Sequence, residues 1–445
     1  MYCTSQTHVL AGVFVSLKQR HWCGAMQAVR RVVWAMSGGV DSAVAALLLK
    51  RRGYQVTGVY MNNWDLIDEH GVCTAEKDCE DAYKVCKTLD IPFHQVSYVK
   101  EYWHDVFSAF LNEYEKGRTP NPDILCNKHI KFNYFLSYAI ENLEADAIAT
   151  GHYARTSHED EDIFQYPYIK NPESLFRNRF EERNDVKLLQ AADQFKDQTF
   201  FLSQVPQYAL RKTLFPLGGL TKVFVKKIAA EAGFHHVLNR KESMGICFIG
   251  ERNFDKFILE YLEPQPGNFV SIEDGKVIGT HNGWFLFTLG QKARIGGLRD
   301  RYFVVDKDVT TGEVFVAPST DHPALYRDHL RTDRVHWICE DPPAELVRNK
   351  MMECYFRFQH QMALGECIMY TLNKSGQIIV FNVITLFTLL MCQFAVFYKG
   401  DECLGSGKIL KLGPSLYTLK QGQEIMKSVA ANVSAKTVKD LDPLT

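Results

Sequence analysis

No Cys-x-x-Cys pair occurs among the 12 cysteines of this 445-residue chain, which removes the usual signatures of structural zinc and of thioredoxin-type redox chemistry. The cysteines are also too dilute for a disulfide scaffold. Neither sign of charge is in excess: 51 Lys+Arg face 52 Asp+Glu for a formal net charge of −1. That excludes a histone-like polycation and leaves room only for a local basic surface. With 29 Gly, 15 Pro and no Gly-X-Y period, collagen-like and low-complexity classes fall away as well. Acidic residues are missing before Asp41, where Lys18, Arg20, Arg30 and Arg31 stand, and an acid-poor basic start is the bias of an organellar transit segment. The alternative is an extension ahead of a working start at Met26. Long apolar runs are nearly absent. The one that reaches membrane length, Ile378–Tyr398, carries Asn382, Thr385, Thr388 and Gln393 and follows the turn-like Asn373-Lys374-Ser375-Gly376, so two strands of a small barrel fit it better than one spanning helix.

What is present is an ordinary globular composition, 46% hydrophobic, in a length that suits two to four domains. From Val29 to about Thr150, short β-branched runs alternate with helical stretches, which means a doubly wound parallel α/β sheet. Helices are expected over about Ala75–Leu89, Glu101–Tyr114, Lys128–Leu143, Pro206–Leu214 and Leu220–Ala232. In such sheets ligands bind beyond the carboxyl ends of the strands, so Ser37–Ser42, Met61–Asn63 and Gly151–Tyr153 should converge. His158–Arg183 reads as a charged surface excursion. Beyond Lys241 the texture changes to Gly-rich short strands. The division expected is an extension over 1–27, a nucleotide-binding domain over 28–240, a small central β-rich domain over 241–328, a C-terminal β-barrel over 329–420, and a disordered tail over 421–445.

The segment Ser37-Gly38-Gly39-Val40-Asp41-Ser42 joins a strand directly to a helix. Its glycines let backbone N–H groups approach an anion, and the helix N-terminus adds partial positive charge. No Gly-Lys-Ser/Thr closes it, so it is not a Walker A loop. In this frame it is the motif of the PP-loop ATP pyrophosphatases, which split ATP between its α and β phosphates and adenylate an oxygen. Asn121-Pro122-Asp123-Ile124-Leu125-Cys126-Asn127-Lys128, Thr150-Gly151-His152-Tyr153, Lys196-Asp197-Gln198, Gly245-Ile246-Cys247-Phe248-Ile249-Gly250 and Ala395-Val396-Phe397-Tyr398 make the chain resemble the tRNA-specific 2-thiouridylases of that superfamily. The likeness runs from about Met26 to Tyr417 and favours the mitochondrial branch.

The resemblance implies an ATP- and Mg2+-dependent sulfurtransferase, located in mitochondria, that replaces the C2 oxygen of a wobble uridine with sulfur supplied by a persulfide donor protein. It implies Cys126 as nucleophile, Cys247 as persulfide carrier and Asp123 as general base or orienting group. Ala35, Met36, Ser37, Gly38, Gly39, Val40, Asp41, Ser42, Met61 and Gly151 would contact ATP. Asn121, Pro122 and Asp123 would cradle the target base. His152, Lys196, Asp197, Gln198, Arg357, Phe358 and Gln393 would contact tRNA around the anticodon. The residues suit this chemistry: adenylation turns a poor leaving oxygen into AMP, and a persulfide supplies nucleophilic sulfur whose partner thiol accepts the resulting disulfide. Gly245 and Gly250 suggest a hinged segment at Lys241–Arg252.

Between Asp197 and Glu231 no acid occurs, but Arg211, Lys212, Lys222, Lys226 and Lys227 do, as phosphate neutralisation would require. Cys392 replaces a glycine usual in the family before Gln393, which questions that contact. An amide-forming PP-loop ligase and a non-catalytic tRNA-binding module are the alternatives. The first lacks a visible glutaminase-like ammonia source. The second leaves Ser37–Ser42, Cys126 and Cys247 without a purpose.

Overall fold

The structure is a computed structural model and describes residues 31–64, 74–158, 185–240, 246, 248–249, 252–371, 376–387 and 393–423. Cys247 with Gly245 and Gly250, residues 1–30, most of the expected excursion, Cys392 and the tail after 423 lie outside the described residues.

The first sheet is all parallel. β1 (Arg31–Met36), β2 (Gln55–Asn62), β3 (Phe93–Ser97) and β4 (Ala147–Ala149) run in the order β3-β2-β1-β4. β5 (Arg155–Thr156) and β6 (Leu188–Leu189) leave this sheet, and β7 (Thr213–Leu214) completes it beside β4. Both faces are covered, so β1 is apolar and buried after its exposed first residue, Arg31, and its alternate residues feed two cores. Val33 and Ala35 enter one; Val32, Trp34 and Met36 enter the other. Helix α1 (Val40–Arg51) follows β1 and stops where Gly53, at φ +86°, takes the left-handed position after its C-cap. Helix α2 (Thr74–Leu89) buries Cys86, whose thiol burial pushes up to about 12, and half-buries Cys79. The expected helix over Pro206–Leu214 is corrected: it ends at Leu210, because Thr213 and Leu214 are claimed by hydrogen bonding to β4.

A second sheet places β8 (Gly267–Ser271), β9 (Val277–His281), β10 (Lys292–Ala293), β11 (Tyr302–Asp308) and β12 (Glu313–Pro318) in the order β10-β11-β12-β8-β9. The third closes on itself. β13 (Tyr326–Arg334), β15 (Met351–Arg357), β16 (Gly365–Thr371), β17 (Gln377–Phe387), β18 (Phe394–Lys399) and β19 (Glu402–Leu412) form a barrel, because β13 pairs with both β17 and β19. The short β14 (His336–Trp337) also pairs with β19. The apolar run at Ile378–Tyr398 contributes to two barrel strands, β17 and β18, as its composition requires. Among the described residues no helix is long and apolar enough to cross a membrane. The part of the chain that carries the parallel sheet is stitched into the barrel: β6 pairs with β19, and β5 with β6.

A buried charge pair fastens the same joint. Arg357 at the end of β15 is 5% exposed and Asp197 is 1% exposed. The guanidinium of Arg357 pairs with the Asp197 carboxylate, donates from Nε to the Tyr398 hydroxyl at 3.0 Å and from Nη1 to the His360 carbonyl at 3.1 Å. Asp197 also accepts from the Thr199 hydroxyl at 2.7 Å and from the Ala191 N–H at 3.1 Å. Removing one partner strands the other's charge. Arg357→Leu is therefore expected to cost about 3–5 kcal/mol of stability. The Asp197→Leu/Arg357→Leu double variant should be less destabilised than the single one, as melting temperatures would register.

Candidate active site

Helix α1 begins at the carboxyl end of β1, beside the point where the strand order reverses between β1 and β4. This is the crevice in which doubly wound sheets hold ligands. The N-cap is Gly39, with no side-chain cap bonded to the first helical N–H groups, so these donors face outward for an anion. Gly38 takes φ +69°, and a Cβ there would lie 2.4 Å from the Asp78 carbonyl oxygen of α2; only glycine satisfies both. Gly151, just past β4, would with a Cβ stand 3.1 Å from the Ser42 N–H nitrogen. The hydroxyls of Ser37 and Ser42 are 3.2 Å apart, and Ser42 donates to the Gly39 carbonyl at 2.9 Å. Ser37 is exposed and Gly39 half-exposed, whereas Ala35, Met36, Gly38, Val40 and Ser42 are buried beneath the loop. Met61 lies at the same sheet end, one residue beyond the Met36–Tyr60 register pair. Asn63 follows it and keeps a buried Oδ1 with no hydrogen-bond partner. An open loop of N–H groups and two glycines that a Cβ would obstruct fit the anionic phosphates of a nucleoside triphosphate.

Three side chains brace this loop, and of these only Tyr153 stood in a segment expected to converge on it. Lys222, at the start of α3 (Lys222–Glu231), reaches Asp41 with Nζ at 2.6 and 2.8 Å. The Tyr153 hydroxyl donates to the same carboxylate at 2.8 Å. Arg240 donates to the Gly38 carbonyl at 3.2 Å and pairs with Asp78 and Asp81 of α2. Lys222 was legible only as one base in an acid-free run, and Arg240 carried no signal.

Cys126 is buried at 6% exposure in a helical segment that opens at Pro122. Asn121 caps it: its Oδ1 accepts from the Ile124 N–H at 3.2 Å, and its Nδ2 donates to Gln393 of the barrel at 3.1 Å. Asn121 and Gln393, both expected at the tRNA, are thus brought together. From Cys126 to Tyr134 the helix widens into π-type turns, a distortion common at functional sites. Asp123, three residues before Cys126, shares its helix face. Burial raises its carboxyl above the ordinary 3.8, against the pull of Lys131. Asn127 fastens the next position to the Phe201 carbonyl at 3.1 Å.

Not every residue expected to touch tRNA faces outward. His152 is 8% exposed, bonded to the Thr150 hydroxyl at 2.8 Å and near Lys131 at 3.5 Å; burial, with Lys131 adding to it, holds the imidazole neutral. Asp197 and Arg357 bond to each other, and Phe358 is 3% exposed in the barrel core. Gln198 is half-buried and accepts from the Tyr153 N–H at 2.9 Å. His152, Asp197, Arg357 and Phe358 are buried in this conformation, and the contacts described here are with the protein's own interior. Lys196 and Gln393 keep partial exposure. At the expected hinge, Phe248 is fully buried among Trp64, Tyr102, Phe107 and Phe110, at ring distances of 5.0–5.9 Å. An anchor therefore stands one residue after Cys247.

Three families match the chain: the tRNA methyl transferase HUP domain over residues 30–251, the tRNA methyl transferase PRC-barrel domain over 255–318, and the Aminomethyltransferase beta-barrel domain over 327–409. The chain is 74% identical over 398 residues to the Mitochondrial tRNA-specific 2-thiouridylase 1 of Homo sapiens, covering 89% of this chain and 94% of that protein. It is 43% identical over 381 residues to the tRNA-specific 2-thiouridylase MnmA 2 of Geobacillus kaustophilus, covering 85% and 94%. Among solved structures, the U34-tRNA thiolase NcsA of Methanococcus maripaludis matches at TM-score 0.31 and 15% identity, over 56% of this chain and 71% of that one.

Two outcomes follow from the geometry. Lys222→Met leaves an extra negative charge beside the anion loop and is expected to raise the KM for ATP about 10-fold, measured as pyrophosphate release. His152 binds its proton less readily folded than at its ordinary 6.5, so the unfolded state takes up more protons as pH falls through that value. Stability should therefore drop on the acid side of about 6.5, and His152→Gln should flatten that slope in pH-dependent denaturant titrations.

Proposed function

The chain belongs to the tRNA-specific 2-thiouridylase family, and from that premise we propose that it is the ATP-dependent sulfurtransferase that thiolates C2 of the wobble uridine in tRNA, acting in mitochondria. The observation that carries the reading is a shared core. Ala35 beneath the anion loop, Cys126, and Phe248 beside Cys247 all belong to one continuous apolar cluster. A core shared by Ala35, Cys126 and Phe248 supports reading Ser37–Ser42 as the nucleotide loop, Cys126 as the nucleophile and Cys247 as the carrier, within the parts 28–240, 241–328 and 329–420 that the sequence suggests.

ATP, as substrate, supplies the adenylyl group that converts the uridine C2 oxygen into a leaving group, with pyrophosphate departing into the N–H cradle of Ser37–Ser42. Mg2+ accompanies the triphosphate; among the described residues no group of three His, Cys, Asp or Glu could hold a metal ion, and Asp41 is engaged by Lys222. Asn121, Pro122 and Asp123 orient the base. The raised affinity of Asp123 for a proton, caused by burial, suits it to take one up or hand one over.

Sulfur arrives as a persulfide on Cys247, loaded by a donor protein. Its terminal sulfur bonds to C2 as the C2–O bond breaks and AMP leaves. The Cys126 thiolate attacks the inner sulfur, so that the S–S bond of the persulfide is exchanged for a Cys126–Cys247 disulfide. An external dithiol then restores both thiols. Cys247→Ser should lose persulfide loading and thiolation alike. Cys126→Ser should still accept labelled sulfur but fail to pass it on, as mass spectrometry of tRNA nucleosides with ATP and a sulfur donor would read. A Cys126→Ser enzyme that makes 2-thiouridine at the wild-type rate overturns the assignment of the nucleophile.

A further inference from the structure

Phe195 is 91% exposed, more than any other large apolar side chain among the described residues, where Val223 follows at 67%. Its exposure is built in rather than left to a loose loop. The Asp193 carboxylate accepts from the Phe195 N–H at 3.2 Å and from the Lys196 N–H at 3.3 Å, and the Asp193 carbonyl takes a second bond from Lys196 at 3.1 Å. An Asx turn of this kind fixes the backbone and leaves the side chain at its tip facing water.

The turn is held at both ends by the active site. On one side, Asp193 accepts from the Lys222 N–H at 2.9 Å, and the same Lys222 bonds Asp41 of the nucleotide loop. On the other, Asp197 is locked to Arg357, and the chain continues to Phe201, whose carbonyl holds Asn127 next to Cys126. The segment from Asp193 to Phe201 thus spans the gap between ATP and nucleophile. Asp197 and Gln198 within it point inward, and its outward face is made of exposed Gln194 and Phe195 with half-exposed Lys196 beside them.

An aromatic ring and a cation on a rigid rim, followed after the buried Asp197 by a stretch that carries no acid until Glu231, match a single-stranded nucleic acid. The ring takes a base face and the cation the adjoining phosphate. The reaction itself creates such a face. A uridine drawn out of the anticodon loop to reach a buried thiol leaves its neighbours without a stacking partner. We propose that Phe195 is the stacking platform for an unpaired base of the tRNA anticodon loop adjacent to the target uridine. This rests on the reading of the protein as a tRNA 2-thiouridylase.

The test compares the full chain with Phe195→Ala, Phe195→Leu and Phe195→Trp variants in binding an anticodon stem-loop RNA at several salt concentrations, and in thiolating it. Loss of stacking should weaken binding roughly 5- to 100-fold in both the Ala and the Leu variant, while Trp retains it. The salt slope should stay unchanged, because no phosphate contact is lost. Lys196→Gln, by contrast, should lower that slope by about one. Melting temperature should not move for so exposed a side chain. Wild-type affinity in Phe195→Ala overturns the platform. So does a variant that binds RNA normally and fails only when sulfur is delivered by a protein instead of inorganic sulfide, since the ring would then serve protein docking. If the unaltered chain neither binds the RNA nor thiolates it, the tRNA reading itself falls.

Discussion

A carboxylate withdrawn from water is tolerated only beside a cation that is itself fully bonded, and the Asp197–Arg357 pair meets that condition where two parts of the chain meet. One partner follows the turn that carries Phe195; the other ends barrel strand β15. Tyr398, Thr199 and His360 complete the network. The barrel is thereby fixed against the segment from Asp193 to Phe201, and the Asn121–Gln393 bond repeats the connection at the start of the helical segment that carries Cys126. The addition of β6 to the edge of β19 carries the same joint through the backbone. Residues that family likeness connects with tRNA thus divide into two kinds. Some present a surface, and others, such as Asp197 and Arg357, determine where that surface stands.

The nucleotide loop has a comparable economy of charge. A Walker loop carries its own lysine, whereas Ser37–Ser42 has none, so cationic groups must come from elsewhere in the chain. Lys222 arrives from 181 residues away to meet Asp41, and Arg240 ties Gly38 to α2. Distance along the chain lets the loop keep its small residues, which backbone N–H donation needs, while the fold supplies positive charge from a separate helix. Arg240 and Phe248 also bracket Cys247, one at the nucleotide loop and one in the aromatic cluster.

Local pattern was enough to read the parallel sheet, the anion loop, the barrel strands within Ile378–Tyr398 and the convergence of Ser37–Ser42 with Gly151–Tyr153, because each rests on periodicity or on backbone freedom at particular glycines. Tertiary structure alone decided which side chains face out. A motif such as Lys196-Asp197-Gln198 reads the same whether its carboxylate meets solvent or Arg357, since their contact joins residues 160 positions apart. It likewise decided that Thr213–Leu214 is strand rather than helix, that Lys222 answers Asp41, and that Phe195 is turned outward on a fixed rim. Sequence determines what a residue can do chemically through its type and its near neighbours. Burial and partnership are set by chain segments distant in sequence, and their positions are fixed only when the whole core closes.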